Sequence, residues 1–202
     1  MTERVVATQS DLDDALADGS VTRVVIDSPA GVWLEVGGSS SVVAWGSSRV
    51  DAGAYVAVHL HSTAATVHGG VVIDLSRLDP RDTATWLAYC GAAVHDDTVT
   101  LYKAVDADLR PGHSNGGSIV YTPGAEVVAP DWRDDHECGG GLHVSPSPTH
   151  AEANSVGDVS RFLAVRVRVD DIRSIGWDKC KVPKLTVLHE VDRWGDPIGD
   201  DQ

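Results

Sequence analysis

Apolar residues recur every eight positions between residues 34 and 60 of this chain. Two columns of them lie two residues apart, so both point to one face of an extended strand. The columns are Leu34, Val42, Val50 and Val58, and then Val36, Ala44, Ala52 and Leu60. A third column, at the turn of each unit, holds only small residues: Gly38, Gly46, Ala54, Ser62 and Gly70.

Small residues at a fixed period are typical of stacked rungs, whose backbone corners lie about 4.8 Å apart and leave no room for bulk. We therefore predict a short β-solenoid over residues 32–75, with an eight-residue repeat. An antiparallel meander with coincidental spacing is the alternative. His59 and His61 alternate with the apolar columns, and we expect both to be exposed on the outward face.

Helix signals flank the repeat on both sides. Ser10 can cap a helix that ends at Gly19, and Asp79 can cap a second helix that ends at Gly91. The second helix carries an apolar stripe that includes Trp86. We predict a first domain over residues 1–77, followed by a connecting helix and linker over 78–97 that closes the open end of the solenoid.

The second half of the chain predicts a small antiparallel α+β domain over residues 98–195, with an acidic tail over 196–202. Strand-like runs occupy 98–105, 117–124, 141–145, 161–169 and 184–191, and Ser147-Pro148 begins a short helix. Strict alternation in the last run predicts that Glu190 faces away from Val187. The class expected for the whole chain is mainly β / α+β.

Composition narrows the function. The formal charge of −14 argues against a nucleic-acid binder, which needs a cationic surface, and favours a basic partner if there is one. No apolar run is long enough to cross a bilayer, so we expect no membrane partner and a cytoplasmic location in a host cell. Three scattered cysteines are too few for a disulfide framework.

The segment from residue 134 to 151, DDHECGGGLHVSPSPTHA, is the richest in chemistry. His136, Cys138 and His143 lie within eight residues, and with Cys180 from a later turn they could hold a structural zinc. The chain lacks the Cys-x2-Cys pair that marks most such sites. Gly139, Gly140 and Gly141 predict a turn with positive φ that leads into a strand and brings backbone close to a ligand or a neighbouring strand.

Several blocks of sequence resemble a family of uncharacterised proteins from actinobacterial phages. They are TLYKAV, YTPG, APDWRDDHECGGGLHVSPSP and DKCKVPKLTVLHEVDRWG, together with the eight-residue repeat. The resemblance implies a phage-encoded accessory protein. With the repeat surface and the acidity, it leads us to expect a protein that binds a host or virion protein, as a monomer or homodimer.

The second domain also resembles the ADP-ribosyltransferase fold, on LYKAV, GGGLHVSPSPTHA and LTVLHEV. The resemblance implies NAD as cofactor and three site residues: Lys103 where the family has His or Arg, His143 where it has Tyr, and Glu190. An NAD-using enzyme or its inactive descendant is thus the alternative function. A zinc-stapled structural domain is a further alternative.

Overall fold

A computed structural model describes residues 2–112 and 119–199 of the chain. The chain divides into two compact units between Leu78 and Asp79. It is mainly β, with few helical segments. No helix within the described ranges is long and apolar enough to cross a membrane.

The first unit consists of six strands and one helix. In chain order they are β1 (Thr2–Val6), α1 (Gln9–Ala17), β2 (Val21–Ile26), β3 (Trp33–Val36), β4 (Ser41–Ala44), β5 (Arg49–Leu60) and β6 (Thr66–Asp74). The strands form one sheet in the order β1-β2-β4-β5-β3, and β6 also pairs with β5. Every pair among the described residues of this unit is parallel, so the antiparallel meander is wrong.

The strand register is sixteen residues between β3 and β5 and between β4 and β5, twice the predicted repeat. Leu34 of β3 lies opposite Val50 in the first half of β5, and Val42 of β4 lies opposite Val58 in its second half. Each of these eight-residue units therefore pairs with the next but one, and the units of Val50 and Val58 both belong to β5. The two apolar columns form most of the core: Leu34, Val36, Val42, Ala44, Val50, Ala52 and Val58 are all buried.

Of the small-residue column, Gly38, Gly46 and Ser62 lie between strands, whereas Ala54 lies within β5 and Gly70 within β6. Gly46 has a φ of +58°, and a Cβ on it would lie 2.2 Å from Oδ1 of Asp27. Gly70 has a φ of +67°, and its Cβ would lie 2.8 Å from the carbonyl oxygen of Val56. At Gly46 and Gly70 a neighbouring group thus lies too close for a side chain, which accounts for glycine at these two positions of the column.

The two ends of this unit differ. At one end α1 buries Leu12 and Ala15, and its cap is Thr8, whose hydroxyl accepts a bond from the amide of Asp11. The predicted cap at Ser10 and end at Gly19 are therefore misplaced. At the other end β6 is exposed along most of its length, and its exposed residues include Val71, Val72 and Ile73.

The second unit contains two antiparallel sheets. Its elements are α2 (Thr83–Cys90), β7 (Val94–His95), β8 (Thr98–Val105), β9 (Glu126–Val128), β10 (Leu142–Val144), α3 (Pro148–Ala153), β11 (Arg161–Arg168), β12 (Arg173–Ser174), β13 (Cys180–Val182) and β14 (Lys184–Val191). The larger sheet has the order β7-β8-β11-β14-β9, and the smaller has β10-β13-β12. Both sheets contribute to one core, with Leu101, Leu163 and Val187 from the larger and Val144 and Val182 from the smaller.

Four of the five predicted strands are found, some of them shortened. The fifth, over 117–124, is not a strand in residues 119–124, and its first two residues lie outside the described ranges. The helix α2 is capped by Asp82 rather than Asp79, although it ends at Gly91 in the left-handed conformation as predicted. Its Trp86 and Leu87 belong to the core of this second unit.

A β-bulge changes the face on which Glu190 lies. The register of β14 against β11 shifts between Ala164 and Val165, so that Val187 lies opposite Val165 while Glu190 lies opposite Leu163. Directly opposed residues share a face of an antiparallel sheet. The extra residue therefore brings Glu190 to the face of Val187, and the prediction that they face apart is wrong.

His59 and His61 of the first unit are half-buried, not fully exposed as predicted. Burial lowers the pKa of His61 to about 4, with a further contribution from the nearby positive charge of Arg23. The pKa of His59 is lowered for the same two reasons. Both rings therefore resist protonation in the folded unit.

We predict that His61 lowers the free energy of unfolding in mild acid. The unfolded chain takes up a proton at this residue near pH 6.5, whereas the folded chain does so only near pH 4. Stability should thus fall as the pH drops through that window. Between pH 7 and pH 4.5, the midpoint temperature of thermal unfolding should fall further for the wild type than for His61→Gln. His95→Gln, at an exposed position, is the control. Parallel losses in all three proteins would contradict this account.

Candidate functional site

The second unit contains a partly open cavity of about 310 Å³ that is lined by residues of β8 and β10. Lys103 of β8 and His143 of β10 both line it. The rest of its wall consists mainly of apolar side chains and glycines, with one carboxylate and one thiol. These residues are Pro111, Ile119, Tyr121, Pro130, Asp131, Cys138, Gly139, Gly140, Gly141 and Leu142. The cavity is large enough for a small organic molecule.

Lys103 is the cation in the described part of this wall. Its Nζ donates to the backbone carbonyl of His143 over 3.0 Å and lies 5.5 Å from the ring centroid of Tyr121. No carboxylate among the described residues forms an ion pair with it. Burial without a counter-ion penalises the charged form and lowers the pKa of Lys103 to about 8.

The side chain of His143 faces the glycine turn. His143 lies opposite Lys181 in the register of β10 with β13, so the two side chains share a face of the smaller sheet. Nε2 of His143 accepts a hydrogen bond from the amide of Gly139 over 3.3 Å. This bond closes the turn back onto the strand that follows it.

All three glycines of this turn have positive φ, as predicted: +90° at Gly139, +61° at Gly140 and +142° at Gly141. A Cβ on Gly141 would lie 3.0 Å from the Trp132 ring, and the amide of Gly141 donates to Oδ1 of Asp131. The turn is therefore packed tightly against the segment that precedes it.

Lys181 contacts the glycine turn from the neighbouring strand β13, and the sequence analysis did not predict this role. Its side chain is fully buried, and its ammonium donates to Oδ1 of Asp135 and to the carbonyl of Gly139. It also lies 5.8 Å from the ring centroid of Trp132. The available signal was its position between Cys180 and Val182, since a lysine inside a short buried strand needs an internal acceptor.

The four predicted zinc ligands are not brought together. Cys180 lies opposite Val144 and is buried in the core, on the other face of the strand pair from His143. His136 contacts the carbonyl of Ser174 through Nδ1, and Cys138 is exposed with its Sγ 4.0 Å from Nζ of Lys179. Within residues 2–112 and 119–199, no three His, Cys, Asp or Glu side chains are grouped for a metal.

Glu190 is occupied by another partner. The guanidinium of Arg161 donates to both of its carboxylate oxygens, and this contact lowers the pKa of Glu190. Among the described residues, Glu190 does not contribute to the cavity wall. The strand registers nevertheless place Lys103, Leu163 and Glu190 in one row across three strands. Lys103 and Glu190 therefore share a face of the larger sheet, about 10 Å apart at their backbones.

The Ser-Pro signal after β10 begins a helix, as predicted. The hydroxyl of Ser147 accepts a bond from the amide of His150, and Pro148 occupies the first turn of α3. The order of turn, strand and capped helix expected after Gly139 is thus present.

Comparison with known families assigns the part of the chain that holds this cavity. Residues 99–196 match a family described as Domain of unknown function (DUF7666). The chain contains a DUF7666 domain. The domain includes every described residue that lines the cavity, as well as Arg161 and Glu190, and none of the first unit. No curated protein and no solved structure matches the chain.

We predict that the turn of the DUF7666 domain tolerates no side chain at Gly141. Gly141→Ala combines a positive φ with contact to Trp132 and should lower the free energy of unfolding by about 1–3 kcal/mol. Gly124→Ala is the matched control, because Gly124 has a φ of +85° but nothing lies within 4 Å of its Cβ position. Chemical denaturation should show a larger loss for Gly141→Ala. An equal loss in the two variants would mean that crowding at the turn has no effect.

Proposed function

We propose that this chain is a phage-encoded accessory protein that acts by binding a host or virion protein through its first unit. We further propose that this unit is a short β-solenoid. The parallel pairing and the sixteen-residue register support that proposal. The phage origin is supported by the resemblance of the sequence blocks alone.

A single surface feature of the first unit carries the binding proposal. Trp33 of β3 is 38% exposed, and its ring centroid lies 4.5 Å from that of the exposed His68 on β6. Arg49 lies on β5, which pairs with both β3 and β6, and its Cζ lies 5.8 Å from the centroid of the Trp33 ring. We call Trp33, Arg49 and His68 the Trp33 cluster.

The composition of the Trp33 cluster is that of a protein-binding hot spot. Tryptophan and arginine are the residues most enriched where single side chains dominate binding energy. Residues held on neighbouring strands of a sheet lose little freedom when a partner arrives, which favours affinity. The formal charge of −14 favours a basic partner and an association that weakens with salt.

We predict that Trp33→Ala weakens partner binding at least tenfold, the effect expected for a hot-spot residue. Proteins from infected cells that the wild type retains should be identified, purified and titrated against each variant by calorimetry. Trp194→Ala is the matched control, since Trp194 is 82% exposed and lies in the second unit. Equal affinities of the wild type and Trp33→Ala for every retained protein would refute binding through this cluster.

A second candidate function is supported by the DUF7666 domain. Lys103 and His143, which the ADP-ribosyltransferase resemblance implies as site residues, line one cavity. Glu190 lies in the same row and on the same face as Lys103. In an NAD-using enzyme, Glu190 would stabilise the positive charge that develops on the ribose. Release of its carboxylate from Arg161 would have to precede that role.

We predict that, under this second candidate, NAD binds the wild type and is slowly cleaved to nicotinamide. Glu190→Gln should bind NAD with an affinity within about threefold and lose at least about a hundredfold in cleavage rate, because its contribution is electrostatic and confined to the transition state. Glu126→Gln, at an exposed position of β9, is the control. Calorimetry and chromatographic detection of nicotinamide measure the two effects. Absence of NAD binding to the wild type would dismiss the enzyme.

A further inference from the structure

We propose that Lys103 is a reactive amine that binds a small aldehyde or ketone covalently, as an imine, inside the cavity of the DUF7666 domain. The proposal concerns a different ligand from NAD and a different unit from the Trp33 cluster. It can therefore stand or fall independently of both functions proposed above.

The position of Nζ is the first support. The amine lies in the wall of a cavity of about 310 Å³, tied by one hydrogen bond to the carbonyl of His143. A neutral lysine amine has two hydrogens and one lone pair, and the carbonyl of His143 uses only one of the hydrogens. The hydrogen bond thus holds the nitrogen at the cavity and leaves its other hydrogen and its lone pair for other partners.

The contrast with Lys181 is the second support. Lys181 is fully buried and Lys103 is half-buried in the same unit. The ammonium of Lys181 is paired with Asp135, whereas Lys103 has no carboxylate partner among the described residues. Asp131 lines the same cavity, but Oδ1 of its carboxylate accepts the amide of Gly141. An ammonium removed from water without a counter-ion is unfavourable, so the environment of Lys103 increases the fraction of neutral amine.

The neutral amine is the nucleophilic form of lysine. With a pKa of about 8, Lys103 is neutral in about one molecule in ten at pH 7. A lysine with the ordinary pKa of about 10.4 is neutral in only about one molecule in 2,500 at the same pH. The difference in reactive fraction is more than a hundredfold.

The cavity wall indicates the kind of carbonyl compound that fits. Ile119, Tyr121 and Leu142, with two prolines, give an apolar lining suited to the hydrocarbon part of a ligand. Lys103 also lines the cavity and supplies the polar group that a carbonyl would meet. A short aliphatic or aromatic aldehyde or ketone satisfies both features.

The covalent step is balanced without any oxidant or reductant. The lone pair of neutral Nζ attacks the carbonyl carbon, a C–N bond forms and the C–O π bond breaks. One proton passes from the nitrogen to the oxygen, through water, to give a carbinolamine. The nitrogen then gives up its second proton to the same oxygen, the remaining C–O bond breaks, and the oxygen leaves as water. The products are an imine and one molecule of water, and hydration reverses the reaction.

Labelling by a small aldehyde tests the proposal. The chain has four lysines, Lys103, Lys179, Lys181 and Lys184, so peptide mass spectrometry can follow each one. The full-length protein is treated with propanal and sodium cyanoborohydride at pH 7, which converts any imine into a stable propyl-lysine. Lys103 should be labelled at least about tenfold faster than the exposed Lys184, owing to its larger neutral fraction.

Raising the pH separates reactivity from simple access. At pH 10.5 Lys103 is almost wholly neutral, and an amine with the ordinary lysine pKa of about 10.4 is about half neutral, so the ratio of the two labelling rates should fall to about two. Lys103→Arg keeps a donor to the carbonyl of His143 but cannot form an imine, and in it the labelling of Lys184 should be unchanged. Circular dichroism checks that this variant is folded.

The ratio measured within the wild-type protein decides the matter without any variant. Equal labelling of Lys103 and Lys184 at pH 7, or faster labelling of Lys179 beside Cys138, overturns the proposal. A ratio above ten that is insensitive to pH also overturns it, since the preference would then not come from the neutral amine.

Discussion

The buried ammonium of Lys181 is the interaction on which the candidate site depends. A charge with no access to water must be paired or it destabilises the fold by several kcal/mol. Here the pairing is supplied by Asp135 and by the carbonyl of Gly139, both from the segment that precedes β10. This segment has little regular structure of its own, and the charge in β13 gives it a fixed point of attachment.

The glycine turn follows from that attachment. Once the carbonyl of Gly139 is fixed above Lys181, the chain must reverse direction within two residues to enter β10. Positive φ at three successive positions achieves this, and only glycine adopts such a sequence of angles without strain. The amide of Gly139 in this turn donates a hydrogen bond to His143, and the carbonyl of His143 accepts one from Lys103. A chain of hydrogen bonds thus connects Lys181 to Lys103 through Gly139 and His143.

The sequence predicted those parts of the structure in which a physical rule repeats. Stacked parallel strands require apolar columns and small corners at a fixed period, so the repeat from Leu34 to Leu60 located the strands of the first unit. The repeat could not show that paired residues are sixteen positions apart. An eight-residue period is compatible with one strand or with two strands in each turn of the chain. The alternation in β11 was predictable for the same reason, with Leu163, Val165 and Val167 buried.

Single local events were not predictable. The bulge opposite Ala164 moved Glu190 to the other face, and no residue type in β14 marks it. The contacts of individual side chains were not predictable either. Glu190 and His143 were selected by resemblance. The contact of Glu190 with Arg161 and the burial of Lys181 both depend on strands that are far apart in the chain. Cys180 was selected as a metal ligand by residue type, yet alternation within β13 turns it into the core.

The two units solve different physical problems, and this separation bears on function. The first unit stacks parallel strands and exposes an aromatic and cationic cluster at Trp33, the feature on which the binding proposal rests. The DUF7666 domain instead places Lys103 in the wall of a cavity, the feature on which the imine proposal rests. The two proposals are independent of each other: the contacts described for Trp33 come from the first unit, and those described for Lys103 come from the second. Substitution of one of these residues should therefore leave the contacts of the other intact.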